Sequence, residues 1–390
     1  MFYLLRIQAF CLDFYCVLLS QILSMALRCG IVGLPNVGKS TLFNALSSAK
    51  ALAANYPFAT KEPNLGIITV PDERLQKLAD LVNPEKIVPT TVEIVDIAGL
   101  IKGASKGEGL GNQFLGNIRE VQAILHVIRC FKNDNVVHVD GSVDPLRDKE
   151  IIDTELLLKD IETVEKRIEK LKKQAKSAEK KALRDLATAE NILAHLESEK
   201  PARNLKLEKE EEQELLDEMM LLTAKPVMYI LNVDEESVLS GNEFTASVVP
   251  IINSENANYL YISASIESDI AELETSEEKM EFLEDMSLKE PGVNRVIRSA
   301  YSMLNLITFF TAGEKEVRAW TVEKGSTAPQ AAGVIHSDFE KGFIRAEVIA
   351  YDDYVRFGSE FAVKEAGKLS IEGKDYVVKD GDVMHFLFNV

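Results

Sequence analysis

Arg28 to Ser40, reading RCGIVGLPNVGKS, is the stretch on which the fold turns. A short apolar β-type run, Arg28 to Val32, passes into a glycine-bearing loop and then into a helix-forming run, Ser40 to Ser48. Gly33-Leu34-Pro35-Asn36-Val37-Gly38-Lys39-Ser40 matches G-x-x-x-x-G-K-[ST] in the setting that the motif requires, after a strand and before a helix. Glycines let the backbone turn tightly so that its N–H groups converge on phosphate oxygens, and the helix N-terminus adds positive potential. Lys39 is placed to reach the β- and γ-phosphates and Ser40 to offer its hydroxyl to Mg2+, with Asn36, Val37, Gly38 and Thr41 completing the cradle.

Downstream, Thr91 to Ile97 (TVEIVDI) reads as a second buried strand, and it runs into Asp96-Ile97-Ala98-Gly99. This D-x-x-G stands at a strand's carboxyl end, where open α/β sheets bind their ligands. Asp96 is expected to hold Mg2+ through water, and the Gly99 N–H to sense the γ-phosphate. Thr60, in Tyr56-Pro57-Phe58-Ala59-Thr60, is the candidate switch threonine for the metal, or else a simple turn hydroxyl. The glycine-rich stretch Lys102 to Gly116 reads as a segment ordered by nucleotide or as a plain connection. Leu100 stands where Ras-type enzymes carry the glutamine that orients the attacking water. A leucine cannot hydrogen-bond water, so hydrolysis is either intrinsically slow or served by another polar group. Asn36 is a candidate to hold K+ near the phosphates.

Base selection turns on Asn232-Val233-Asp234-Glu235, at the end of the apolar run Val227 to Val233. Guanine-specific sites use N-K-x-D, in which the aspartate takes two hydrogen bonds from guanine. Here the lysine is missing and the fourth position is a glutamate, one methylene longer. Both changes loosen guanine selection, because a donor–acceptor site discriminates only when its pairs align. Asn232 and the Val233 backbone are expected to face N6 and N7 of adenine, with Glu235 beside them. Ser263 and Ala264, in Ile262-Ser263-Ala264-Ser265, would close over the base. A degenerate site accepting both purines is the alternative.

Apolar β-branched runs, with Ala123 to Arg129 as a further one, alternate with helical stretches and imply an α/β fold with a parallel sheet covered on both faces. Between the third and fourth runs lies a charged segment, 140–218, without strand pattern. Its apolar residues step three, four, three at Ile161, Val164, Ile168 and Leu171, and again at Leu186, Ala189, Leu193 and Leu196. That is heptad spacing, read as two antiparallel helices forming an inserted coiled-coil arm. After Leu304 the texture changes to short strands and glycine turns, a small α+β domain over 304–388. A chain of 390 residues, 46% hydrophobic and 27% charged, is long enough for two or three globular domains. The net charge of −18 argues against coating nucleic acid, although a local basic patch stays open. Cys11, Cys16, Cys29 and Cys130 are spaced for neither a disulfide framework nor zinc, and read as free thiols in a reducing cytosol. Residues 1–24 are apolar but interrupted by Arg6 and Asp13; they read as an upstream extension outside the fold, with Met25 as a natural start and no bilayer span expected.

These motifs resemble one family closely, the YchF/Obg-like ATPases, a branch of the translation-factor-related P-loop GTPases. GLPNVGKSTLFNAL, YPFATKEPN, VDIAGLIKGASKGEGLGNQFL and NVDE match its nucleotide motifs, and AAGVIHSDFEKGFIRAEV with KDGDVMHFLFNV matches its C-terminal TGS domain. The likeness covers Met25 to Val390. It implies a Ras-like nucleotide domain (25–139 and 219–303) interrupted by the coiled-coil insertion, then a ubiquitin-like β-grasp TGS domain. It further implies ATP in preference to GTP, a hydrophobic residue in place of the catalytic glutamine, a cytoplasmic setting, and association with ribosomal subunits or rRNA, with no membrane or specific DNA partner. His138, in NDNVVHV, matches a histidine considered for catalysis in that family. Lys39, Gly99 and His138 are therefore the expected catalytic set. Two rival readings remain: a GTP-driven switch, and an RNA- or ribosome-binding module whose nucleotide only locks domain geometry.

Overall fold

The computed structural model describes residues 28–48, 64–97, 110–133, 135–136, 138, 141–176 and 180–389. Thr60, Gly99, Leu100, the extension 1–24 and the first part of the glycine-rich stretch lie outside the described residues.

The first sheet has six strands: β1 (Arg28–Val32), β2 (Leu65–Thr69), β4 (Thr91–Asp96), β5 (Ala123–Cys130), β6 (Val227–Val233) and β7 (Asn258–Ile262), in the order β2-β4-β1-β5-β6-β7. Only β2 runs antiparallel, against β4. The four expected strands form its parallel centre, and β5 is buried at all eight positions, the signature of a strand covered on both faces. The edge strands β2 and β7 were not expected. Helices α1 (Lys39–Ser48), α3 (Leu110–Glu120) and α10 (Gly292–Met303) contribute to the main core, α1 with Leu42 and Leu46, α3 with Phe114, Leu115 and Ile118. On β5 and β6, Ile128, Tyr229 and Leu231 pack in a separate cluster with Val248 and Ile252 of α7 (Glu243–Ser254) and Ile266 and Ile270 of α8 (Ala264–Glu272).

The insertion is helical, as the spacing predicts: α4 (Pro145–Ala175) and α5 (Lys180–Glu197), followed by α6 (Glu210–Glu218). Its seam differs in register. Val164, Ile168 and Leu171 pack on Ala189, Ile192 and Leu196, whereas Leu186 and Leu193 are only partly buried. Leu215 and Leu216 of α6 join the same cluster, so the arm has a third apolar partner. The first turns of α4 also belong to the main core, through Ile152 and Leu156. Asp160 fixes the returning chain, its carboxylate accepting from Leu222 N at 2.8 Å and from Thr223 N and Oγ1 at 2.7 Å.

The second sheet contains β8 (Leu306–Ala312), β9 (Val317–Glu323), β10 (Phe343–Ile349), β11 (Ser370–Glu372) and β12 (Val383–Phe388), ordered β11-β10-β12-β8-β9, with β12 parallel to β8. Its sixth strand comes from the other half of the chain: β3 (Ile87–Val88) lies parallel to β9. On one face, α11 (Ala328–Ile335) packs on Phe309 and Phe386. On the other, Leu75 and Leu78 of α2 (Glu73–Val82) pack on Phe310 and Val383, with Tyr354 and Val363 from two later helices, α13 (Tyr351–Phe357) and α14 (Glu360–Glu365). Among the described residues no helix is long and apolar enough to cross a membrane.

Candidate nucleotide-binding site

β1 sits at the centre of the first sheet, between β4 and β5, and the loop from Gly33 leaves its carboxyl end. In register, Ile31 stands opposite Asp96, so the loop and the Asp96 strand end open on the same edge. Gly38 adopts φ +95°, and a Cβ there would run into the Asn232 amide. Only glycine therefore lets the loop lie this close to the end of β6. Asn36 takes a left-handed φ of 63°, which asparagine tolerates better than most residues.

Lys39 is buried at the base of the loop, and its Nζ donates to the Leu34 carbonyl at 2.7 Å. Burial pulls its pKa down to about 8, with the Asp96 charge opposing. Asp96 is shifted the other way: burial raises its pKa, while Lys39 and a hydrogen bond with Ser40 hold it back. Asp96 Oδ1 is enclosed and has no hydrogen-bond partner. A carboxylate oxygen without a partner, beside an exposed serine hydroxyl and a lysine, fits a hard divalent cation with oxygen ligands, as Mg2+ prefers. Ser40 and Asp96 are the side chains that would hold it.

Asn232 joins the loop to the neighbouring strand ends. Its Nδ2 donates to Val37 O at 2.9 Å and its Oδ1 accepts from Ala264 N at 3.0 Å. One amide thus ties the phosphate loop to the turn after β7, and keeps one N–H and one lone pair in reserve. A neighbouring donor and acceptor are what N7 and the N6 amine of adenine require. Val233 is buried. Ser263, fully buried, shares a hydrogen bond with Ser265, whose hydroxyl reaches exposed Glu235 at 3.4 Å. Asp234 is taken up locally: it accepts from Ser237 N and from Asn242 Nδ2.

His138 is the histidine expected to take part in catalysis. Its Nε2 lies 2.8 Å from Asp148 Oδ2, and both side chains are almost wholly buried near the start of α4. That bond ties His138 to the root of the arm. Arg129 reinforces that corner by donating to the Phe131, Asn133 and Val136 carbonyls. Glu267 was missed by sequence reasoning. Buried on α8, it accepts from the Gly292 and Val293 N–H groups and caps α10 behind the site. No motif spacing announces a partner twenty-five residues away.

The chain is similar to known proteins over most of its length. The family description "50S ribosome-binding GTPase" matches residues 28–174, and the YchF-GTPase C-terminal family, described as "Protein of unknown function (DUF933)", matches residues 306–389. The chain is 58% identical to the ribosome-binding ATPase YchF of Haemophilus influenzae, over 94% of this chain and 100% of that one. It is 56% identical to the ribosome-binding ATPase YchF of Bacillus subtilis, with the same coverage. Among solved structures it resembles the YchF GTPase of Schizosaccharomyces pombe at a TM-score of 0.84 and 40% identity, covering 93% of this chain and 97% of that one.

Proposed function

We propose, from the premise that this chain belongs to the YchF family, that it binds ATP with Mg2+ at the Gly33–Ser40 loop, hydrolyses it to ADP and phosphate, and acts on the ribosome in a nucleotide-dependent way. The single observation that carries the site is the unpartnered, enclosed Asp96 Oδ1 beside Ser40 and Lys39. Lys39 neutralises charge developing on the transferred phosphoryl group, and the loop amides hold the phosphates in line for attack by water. Mg2+ held by Ser40 and Asp96 would supply positive charge against the phosphates. Thr60 is its proposed third protein ligand and Gly99 the proposed γ-phosphate sensor, with Asn36 toward K+. Asn232, the Val233 backbone and Ala264 face the base. Ser263 and Glu235 shape its edge.

We assign residues 25–139 and 219–303 to the nucleotide domain, 140–218 to the arm and 304–388 to a TGS domain. The strand order β11-β10-β12-β8-β9, with the last strand parallel to the first, supports a β-grasp connectivity. A cytoplasmic setting goes with a ribosomal partner. GTP is the second reading, favoured because the family matched over 28–174 and the Schizosaccharomyces pombe relative are both described as GTPases. Calorimetric titration with each triphosphate, with and without Mg2+, tests both. Magnesium-dependent ATP binding at least tenfold tighter than GTP, together with phosphate release, is expected. A tenfold preference for GTP overturns the choice of base, and no uptake of either overturns the site.

A further inference from the structure

The first turn of α10 grips the chain on both sides of the Ser263–Ala264 turn. Before the turn, Arg295 Nη2 donates to the Tyr261 carbonyl at 2.6 Å. After it, the Glu267 carboxylate accepts from Gly292 N at 2.8 Å and from Val293 N at 3.1 Å. N–H groups that open a helix have no carbonyl of their own helix to bond, so the carboxylate supplies the partner and meets the positive end of the helix. Glu267 is 2% exposed, and burial raises its pKa while the Val293 and Gly292 N–H groups and the Arg295 charge oppose the rise.

The fit leaves no slack on the helix side. A Cβ at Gly292 would lie 2.6 Å from Glu267 Oε1 and 3.4 Å from Ile262 Cγ1. Ile262 ends β7 beside the turn and shares the main core with Val293, Val296 and Ile297 of α10. The far end of α10 is anchored as well, through Tyr301, whose hydroxyl donates to the Ile307 carbonyl at 3.0 Å and bonds Thr321 at 3.1 Å. From this fixed wall the restraint reaches the site through backbone. Ser263 O accepts from Glu267 N at 3.1 Å, and Ala264 N donates to Asn232, whose amide also holds Val37 of the phosphate loop.

We propose that Glu267 is a positioning residue for the purine: by locking α8 to the start of α10, it fixes the Ser263–Ala264 turn at the distance where Ala264 and Asn232 meet the base. The proposal rests on the reading above that these residues face the base. A pocket that reads a planar ring by hydrogen bonds selects it only while donors and acceptors stay aligned. Loosening the turn should therefore weaken recognition of the base and spare the phosphate cradle, which is built from the other end of the loop.

Calorimetric titration of the full chain in Mg2+, with ATP and separately with inorganic tripolyphosphate, tells the two apart, because tripolyphosphate has no base. Glu267→Ala is expected to weaken ATP about tenfold and tripolyphosphate less than about twofold, raising KM for ATP with little change in kcat, the pattern of lost uniform binding. Glu267→Gln keeps the shape and one acceptor oxygen, so it should recover part of the loss. Gly292→Ala pushes the carboxylate off its N–H partners without removing it, and should reproduce the loss that is selective for ATP. Should Glu267→Ala fail to fold, the other two substitutions make the same comparison. Equal weakening of ATP and tripolyphosphate overturns the proposal, because it marks a general loosening of the domain, and so does unchanged ATP affinity in the variants. A parent that takes up neither ATP nor GTP sinks the nucleotide reading and the proposal with it, whereas a parent that binds ATP no better than its variants sinks the proposal alone.

Discussion

An enclosed carboxylate oxygen without a hydrogen-bond partner costs free energy, and at Asp96, whose Oδ1 has none, the cost shows in a pKa pushed upward chiefly by burial. Between the unfolded value of 3.8 and the higher folded one, the native state holds more protons than the unfolded chain, so stability contributed by this group falls as pH rises through that window. Above it the ionised group is a standing penalty that Lys39 and Ser40 offset in part and a bound cation would relieve further. Asp96→Asn should therefore leave the ligand-free protein at pH 7 as stable as the parent or more so, while cancelling the rise in melting temperature that Mg2+ with ATP gives the parent. Differential scanning fluorimetry reads both, and a clear drop in ligand-free stability would refute the argument. Lys39 works in the other direction. With its pKa at about 8, the ammonium needed by the phosphates is lost in the free protein as pH climbs past that value, so ATP affinity should fall by up to about tenfold per pH unit above it. Calorimetry should register proton uptake on binding there, and a flat affinity from pH 7 to 9.5 would remove Lys39 from the phosphates. Both residues were legible in the sequence because phosphate chemistry fixes their spacing. The bridge made by Asn232 was half legible: its place at a strand end could be read, but its bonds to Val37 and Ala264 depend on strand register. The pairing of His138 with Asp148 was not legible, since a lone histidine carries no mark of what faces it.

At the scale of elements, the arm shows how a heptad can be recognised and its phase misread. On α5 two series compete. Leu186, Ala189, Leu193 and Leu196 is the more apolar, and Ala182, Asp185, Ala189, Ile192 and Leu196 is the one that is buried. They share Ala189 and Leu196, so spacing alone cannot separate them. A two-helix picture then favours the leucines. The third helix changes the balance, because α6 and the chain around it present Leu205, Leu207, Leu215 and Leu216 to the same cluster and give the leucine flank partial cover. The two faces differ in energy accordingly. Ile192→Ala, at a position with no exposure, should cost about 2–4 kcal/mol by opening a cavity in the seam, whereas Leu193→Ala, at the rim, should cost about 1 kcal/mol. Chemical denaturation followed by far-UV circular dichroism can rank the pair, and equal losses would mean that the seam is drawn wrongly. The capping aspartate Asp144 with Pro145 behind it marks where α4 begins. That its first turns pack under the sheet was not readable, because a helix's apolar stripe names no partner.

Across the whole molecule, the two sheets are joined by an exchange of chain that motif reading does not foresee. Between β2 and β4, both strands of the nucleotide sheet, the chain leaves to form α2 and β3 and builds them into the C-terminal sheet. Leu78 is fully buried there among Phe310, Ala319 and Val383. Arg74 reaches Asp380 at 2.7 Å and stacks over Phe310, while Asp380 also accepts from Thr308 N. Thr90 and Tyr301, from the nucleotide half, both hydrogen-bond Thr321 of β9. The amphipathic spacing of Leu75, Leu78 and Ala79 announces a buried face without saying which sheet covers it, and two residues of strand between Pro84 and Pro89 are too few to announce anything. The C-terminal unit is thus completed by residues more than two hundred positions earlier, and the two halves should unfold together. Trp320, the one tryptophan of the chain, lies on β9 and reports on that unit alone, whereas circular dichroism reports on every helix. In the full chain the two signals should trace one transition. Leu78→Ala should move both by the same amount, about 3 kcal/mol, although the substitution lies outside the C-terminal segment. A tryptophan transition left in place while the helices melt earlier would show that α2 merely leans on a sheet that folds without it.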